Sequence, residues 1–255
     1  MFLHRYGKPV TETVVLIHGI PGSEGSWDRV VELLAPANQV LVPDLLGFGR
    51  SPRPDELHPE AQAAALENAL DRAGIKQAHI VGHDFAGPIS LSLYRRRPEL
   101  FRSLALMATN TFPDTPIPFP LRLITLPVVG NAMAQALFSR PALKQMLRRY
   151  GGTHLGDADT VRRIFTQSLQ NLHETYRDYP AILTTVNVPA LVVWGEEDPF
   201  IPASQGKRIA SLLPDPEMRV LAGAGHFLPE QRPDDVTYAL MTLITRARNR
   251  ASTRA

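Results

Sequence analysis

Short apolar runs alternate with amphipathic stretches along most of this chain. Val14–His18, Gln39–Pro43, His79–Gly82, Ser103–Met107, Ala190–Trp194 and Met218–Leu221 are each only a few residues long and rich in Val, Leu or Ile. That is the pattern of strands covered on both faces. Between them, Ser26–Leu34, Pro59–Ala73, Pro88–Arg96, Ala203–Leu212 and Asp234–Arg246 carry apolar residues at helical spacing. Alternating strands and helices predict the α/β class, with a mostly parallel, doubly wound sheet. Only 13 residues precede the first buried strand, which leaves room for one leading strand, at Phe2–Tyr6.

Thr111 to Thr185 breaks the alternation. It opens with prolines at 113, 116, 118 and 120 and then reads as several helices. Asp157 or Asp159 would cap the longest, running through Val161, Ile164, Phe165, Ser168 and Leu172. The expected organisation is therefore a core of residues 1–110 and 186–255 and a helical insertion of residues 111–185. Phe112, Phe119, Leu123, Leu126, Val129, Met133, Leu137 and Phe138 would line a greasy tunnel or pack the insertion onto the core.

Composition narrows the class. With 255 residues, 44% hydrophobic and 20% charged, the chain can bury a large core. A formal net charge of +2 favours neither nucleic acid nor an acidic membrane as a partner. Arg95-Arg96-Arg97 reads as a solvated helix end, and the tail from Arg246 to Arg254 as a frayed terminus. With no cysteine, disulfides and thiol chemistry are excluded. No signal peptide or apolar run of membrane-spanning length is visible, so a cytoplasmic location is expected. The eight histidines show no metal-ligand spacing, and Gly47-Phe48-Gly49 lacks the third glycine of a dinucleotide fingerprint. No metal and no cofactor are expected.

The chemistry gathers at Val81-Gly82-His83-Asp84-Phe85-Ala86-Gly87. Small residues two positions either side of Asp84 are what a sharp strand-to-helix elbow demands, because the two backbones nearly touch there. An isolated Asp before a helix is usually an N-cap; these flanks favour a nucleophile. A carboxylate is already ionised at neutral pH. Its attack on an ester carbonyl yields a reactive anhydride that reverts, whereas attack on sp3 carbon gives a stable alkyl ester. Downstream, Ala190–Trp194 runs into Gly195-Glu196-Glu197-Asp198, and Val220-Leu221 into a loop holding Gly225-His226-Phe227. In this order Asp84 is the nucleophile, His226 the base that activates water, and Asp198 the group that holds the His226 tautomer. Glu196 and Glu197 are neighbouring alternatives to Asp198. Asn110 also ends a strand, but an amide cannot balance an imidazolium. The N–H groups of Ile20 and Phe85 would form an oxyanion hole; His18 and His83 would support the surrounding loops.

These motifs, with His18-Gly19-Ile20-Pro21, Asp44-Leu45-Leu46-Gly47-Phe48-Gly49-Arg50-Ser51 and Gly225-His226-Phe227-Leu228-Pro229-Glu230, resemble the α/β-hydrolase superfamily. Within it they look like the branch with an Asp nucleophile, the epoxide hydrolases and the haloalkane or haloacid dehalogenases. The resemblance implies an α/β-hydrolase fold with a helical cap inserted late in the chain. Haloalkane dehalogenases usually place a halide-gripping Trp after the nucleophile, and fluoroacetate-type enzymes an Arg; this chain has Phe85. Epoxide hydrolases use cap tyrosines to protonate the opened ring. Tyr176 resembles one of these, and Tyr150 is the candidate for the other. The resemblance thus implies a cofactor-independent epoxide hydrolase acting on a small apolar substrate and water. Alternatives are a dehalogenase, or a ligand-binding homologue in which Asp84 replaces the usual Ser. A homodimer stays open.

Overall fold

The computed structural model describes residues 1–8, 12–117, 119, 121–126 and 128–253. Seven strands form one sheet in the order β1-β3-β2-β4-β5-β6-β7. They are β1 (Phe2–Tyr6), β2 (Thr13–Ile17), β3 (Gln39–Asp44), β4 (Ala78–His83), β5 (Phe101–Met107), β6 (Ala190–Gly195) and β7 (Pro216–Leu221). Only β1 is antiparallel to its neighbour, with Phe2 opposite Asp44 and Tyr6 opposite Val40. The remaining pairs are parallel. β4 and β6 are buried along their whole length, as expected of parallel strands with helices on both faces. The predicted strands match those observed to within two residues at each end.

The covering helices are α1 (Asp28–Leu34), α2 (Pro59–Arg72), α3 (Ala86–Arg96), α9 (Ala203–Leu212), the short α10 (Leu228–Gln231) and α11 (Pro233–Ser252). α2 starts where Pro59 presets φ and the His58 ring accepts from the Ala61 N–H. The helix predicted from Ser26 begins as a 3-10 turn, Glu24–Trp27, before α1. The frayed tail predicted from Arg246 is instead helical to Ser252. Its arginines have partners: Arg246 and Arg250 reach Asp215, and Arg248 reaches Glu12. Arg254 lies outside the described residues, as do Pro118 and Pro120.

Between β5 and β6 run a 3-10 turn (Leu121–Thr125) and helices α4 (Gly130–Leu137), α5 (Arg140–Tyr150), α6 (Ala158–Gln170), α7 (Leu172–Tyr176) and α8 (Tyr179–Thr185). Asp157, rather than Asp159, caps α6 by accepting from the Thr160 N–H. Thr160 also donates to the Gly47 carbonyl at 3.0 Å, which ties the insertion to the loop after β3. No described helix is long and apolar enough to cross a membrane.

Candidate active site

β4 ends at His83, and Asp84 follows with φ 53°, an unusual value for a residue bearing a side chain. The glycines around it are required by contact. A Cβ on Gly82 would lie 2.6 Å from the Ala86 carbonyl oxygen, and one on Gly19 would lie 2.5 Å from the Asp84 Cβ. Three hydrogen bonds hold the turn: Asp84 N–H to the Met107 carbonyl, Gly87 N–H to the Asp84 carbonyl, and the Thr109 hydroxyl to that same Asp84 oxygen. Thr109 follows Ala108, the other non-glycine residue with positive φ among those described. Nothing in the local sequence pattern marks Thr109. Its position one strand over from the elbow is visible only once β4 and β5 are paired.

The Asp84 carboxylate is held at both oxygens. Oδ2 accepts from the Ile20 N–H at 2.8 Å, and Oδ1 lies 3.3 Å from His226 Nε2. Nδ1 of His226 is 2.8 Å from Oδ2 of Asp198. Asp198 Oδ1 in turn accepts the N–H groups of Phe200 and Ile201 at 2.9 and 3.0 Å. The structure therefore brings Asp84, His226 and Asp198 into one line. The Glu196 carboxylate instead accepts from the Gly223 N–H. Of the two expected oxyanion donors, Ile20 is engaged. The Phe85 N–H makes no hydrogen bond among the described residues, although Phe85 lines the cavity.

Two buried histidines build the frame. His83 Nε2 donates to the His226 carbonyl at 2.8 Å. His18 accepts from the Leu45 N–H at Nε2 and donates from Nδ1 to the Gly19 carbonyl. These partners fix the neutral Nδ1–H tautomer. Burial is the main cause that lowers the pKa of both, that of His18 to about 4. Gln231, also not anticipated, accepts from the Gly225 N–H and donates to the Tyr150 carbonyl at 2.8 Å, joining the His226 loop to the end of α5.

His226 behaves oppositely. Burial opposes its charge, but the carboxylates of Asp198 and Asp84 outweigh burial and raise its pKa to about 10. Burial likewise works against the Asp198 carboxylate. The charge and hydrogen bond of His226, with the Phe200 and Ile201 N–H groups, nevertheless hold its pKa below the ordinary value.

Above Asp84 opens a cavity of about 390 Å³. Ile20, Asp84, Phe85 and His226 line its core side, and Leu143, Met146, Phe165, Leu169, Leu172 and Tyr176 are among the residues lining it from the insertion. Of the anticipated tunnel residues, Phe119, Leu137 and Phe138 line it, with Phe138 stacked on Phe165 at 4.4 Å. Leu123, Leu126, Val129 and Met133 do not, and Phe112 is fully buried beneath the Arg208 guanidinium. No Lys or Arg is among the lining residues. Both candidate cap tyrosines face the cavity. Tyr176 is 6% exposed, and burial, Tyr179 and the Asp84 charge all push its pKa up. Tyr150 is set edge-on to Phe200. Both tryptophans are fully buried elsewhere in the core.

A separate group, His4, Glu24 and Asp44, brings potential ligand atoms within 4.8 Å of one another. Asp44 is already committed there: its carboxylate pairs with His4 and accepts from the Arg50 N–H.

The profile of the family described as alpha/beta hydrolase fold matches residues 12–233. The chain is 28% identical over 246 residues to the uncharacterized hydrolase YugF of Bacillus subtilis, covering 92% of this chain and 90% of the relative. It is 30% identical over 243 residues to a 2-hydroxy-6-oxononadienedioate/2-hydroxy-6-oxononatrienedioate hydrolase of Paraburkholderia phymatum, covering 85% and 81%. Among solved structures, a haloalkane dehalogenase of Bradyrhizobium elkani superposes with a TM-score of 0.79 at 21% identity, covering 97% and 94%. That likeness speaks for the fold alone.

Proposed function

This chain belongs to the alpha/beta hydrolase fold family, and from the carboxylate at its elbow we propose that it opens an epoxide to a diol through an alkyl ester on Asp84. The observation that carries the reading is the division of labour between the two Asp84 oxygens. Oδ2 sits on the Ile20 N–H, where a developing oxyanion is stabilised. Oδ1, paired with His226 at 3.3 Å, is the oxygen left to attack, and Asp84 lines the cavity.

The charges account for each step. In the free enzyme His226 is protonated at neutral pH, because two carboxylates flank it. Oδ1 attacks a ring carbon, the carbon–oxygen bond of the ring breaks, and its electron pair stays on the epoxide oxygen. That oxygen is an alkoxide and needs a proton. Tyr176 supplies a hydrogen bond to it, and the proton comes ultimately from the His226 imidazolium. Esterification removes the Asp84 charge, so one of the two forces that held the imidazolium is gone. Neutral His226 then takes a proton from water, which attacks Cγ of the ester. The imidazolium returns that proton to the departing diol oxygen, and the carboxylic acid left on Asp84 passes the second proton of the water to His226, which restores their ion pair. Asp198 keeps Nδ1 protonated throughout. Residues 111–185 act as the cap that excludes water until the ester has formed.

The apolar lining points to a small to medium apolar substrate. The dioates named for the Paraburkholderia relative carry two carboxylates, and this cavity offers no Lys or Arg to meet them. For carbon–halogen cleavage the Asp84 chemistry would be the same, but neither tryptophan reaches the cavity to hold a halide. A single-turnover reaction in heavy-oxygen water tests the proposal. The first diol should carry no label and Asp84 should acquire it. Label in the first diol would mean direct attack by water and would remove Asp84 as nucleophile.

A further inference from the structure

The first half of the insertion differs in charge from the rest of the chain. Between Thr115 and Gly156 stand five cations, Arg122, Arg140, Lys144, Arg148 and Arg149, and no Asp or Glu. The whole chain carries only +2, so the remainder is net negative. None of the five pairs with a carboxylate among the described residues, whereas Arg95, Arg96, Arg97, Arg177 and Arg208 all do. On α5 the positions 140, 144 and 148 recur every four residues and are exposed. They form one exposed stripe beside the buried Leu143 and Leu147, and none of the three lines the cavity.

Apolar side chains are exposed on the same part of the insertion. Val128 is 93% exposed and Phe119 79%, with Leu126 and Val129 near half. Phe119 also lines the cavity, so it stands at the mouth. The turn that follows it packs on α4, which in turn touches α5.

We propose that this face of the cap docks onto an anionic lipid surface, with Phe119 and Val128 entering the headgroup layer and the α5 cations meeting lipid phosphates. Exposed apolar residues beside unpaired cations are the combination that holds a protein in the plane of an interface. An apolar substrate partitions into lipid, and this arrangement sets the cavity mouth against that source. A symmetric interface between two copies is disfavoured, because it would oppose one cationic stripe to another. The whole-chain charge that argued against an acidic membrane averages over two unequal halves. Docking does not depend on which bond the site cleaves.

Co-sedimentation of the full chain with vesicles tests this without any turnover, so its failure leaves the Asp84 chemistry untouched. With vesicles of equal parts phosphatidylcholine and phosphatidylglycerol the protein should pellet, and high salt should release it. Phosphatidylcholine alone should retain far less. The triple variant R140E/K144E/R148E should bind the anionic vesicles at least about a hundredfold more weakly. Val128→Asp should bind more weakly too, and both variants should keep the wild-type circular dichroism spectrum. Equal binding to both vesicle types, binding to neither, or wild-type binding by the triple variant would overturn the proposal. So would wild-type self-association without lipid that Val128→Asp abolishes, which would assign the face to a second copy.

Discussion

The floor and the roof of the cavity are built on different terms. On the floor, each residue of the proposed triad sits just after a strand or in the loop that follows one, and hydrogen bonds hold its side chain or backbone: Asp84 by Ile20 and Thr109, His226 by His83 and Asp198, Asp198 by Phe200 and Ile201. On the roof, the helices contribute mainly apolar side chains held by packing, such as the Phe138–Phe165 stack. A floor fixed by directional bonds determines which bond is made. A roof fixed by shape determines which molecule reaches it, and it can vary without disturbing the chemistry.

The most severe way to probe the floor short of removing Asp84 or His226 is Asp198→Asn. It deletes the larger of the two charges that raise His226 and invites the wrong tautomer. Turnover should fall by about 10³–10⁴-fold, and the loss should fall on hydrolysis of the ester. Rapid-quench kinetics should show the ester forming and then persisting. An equal slowing of both steps would mean that Asp198 serves only to fold the loop.

Tyr176→Phe tests whether the roof takes part in the chemistry. If its hydroxyl donates to the opened ring, kcat on epoxides should drop by about 10²-fold or more with KM little changed. Unchanged kcat would return Tyr176 to a packing role and favour a leaving group that needs no proton.

Acid should weaken the frame of the floor. The His18 pKa is lowered to about 4 in the fold, against 6.5 for an ordinary histidine. Its neutral form is therefore stabilising above 6.5, and that contribution is lost as pH falls toward 4. The loss is about 3 kcal/mol. Urea denaturation at stepped pH should show this slope, and His18→Asn should flatten it. His226 has the opposite sign: its folded-state pKa is raised to about 10, so its contribution is full below 6.5 and fades as pH rises through 10. The smallest effect belongs to Phe119→Ala. At 79% exposed, this side chain should change stability by less than about 0.5 kcal/mol, while a roof that selects substrate predicts a measurable change in KM for bulky substrates.

The same contrast governs what the sequence discloses. Floor residues sit at the ends of short apolar runs with glycines forced by close approach, so Asp84, Ile20, Asp198 and His226 could be located from local pattern. Thr109 and Gln231 could not, since their partners lie 25 and 81 residues away and only strand pairing and loop closure bring them together. In the insertion, helical periodicity identified the elements and Asp157 the start of α6. It did not distinguish residues facing the cavity from those facing solvent. Leu126 and Val129, expected to line a tunnel or to pack the insertion onto the core, are among the exposed residues, whereas Leu143 and Met146 line the cavity. An apolar residue beside a cavity and one on a surface look alike until the helix has a neighbour. The long α11 depended on ion pairs to Asp215 and Glu12 that no local pattern reveals.

Intact-protein mass spectrometry of His226→Gln after incubation with a panel of epoxides and haloalkanes reads the proposed ester on Asp84 directly. Without its base the enzyme should stall as the alkylated form. The predicted result is a gain equal to one whole epoxide, mapped by peptide digestion to Asp84. A gain equal to an alkyl group, with halide released and no epoxide adduct, would keep the ester and contradict the epoxide reading. No adduct on Asp84 with any member of the panel would remove Asp84 as the nucleophile.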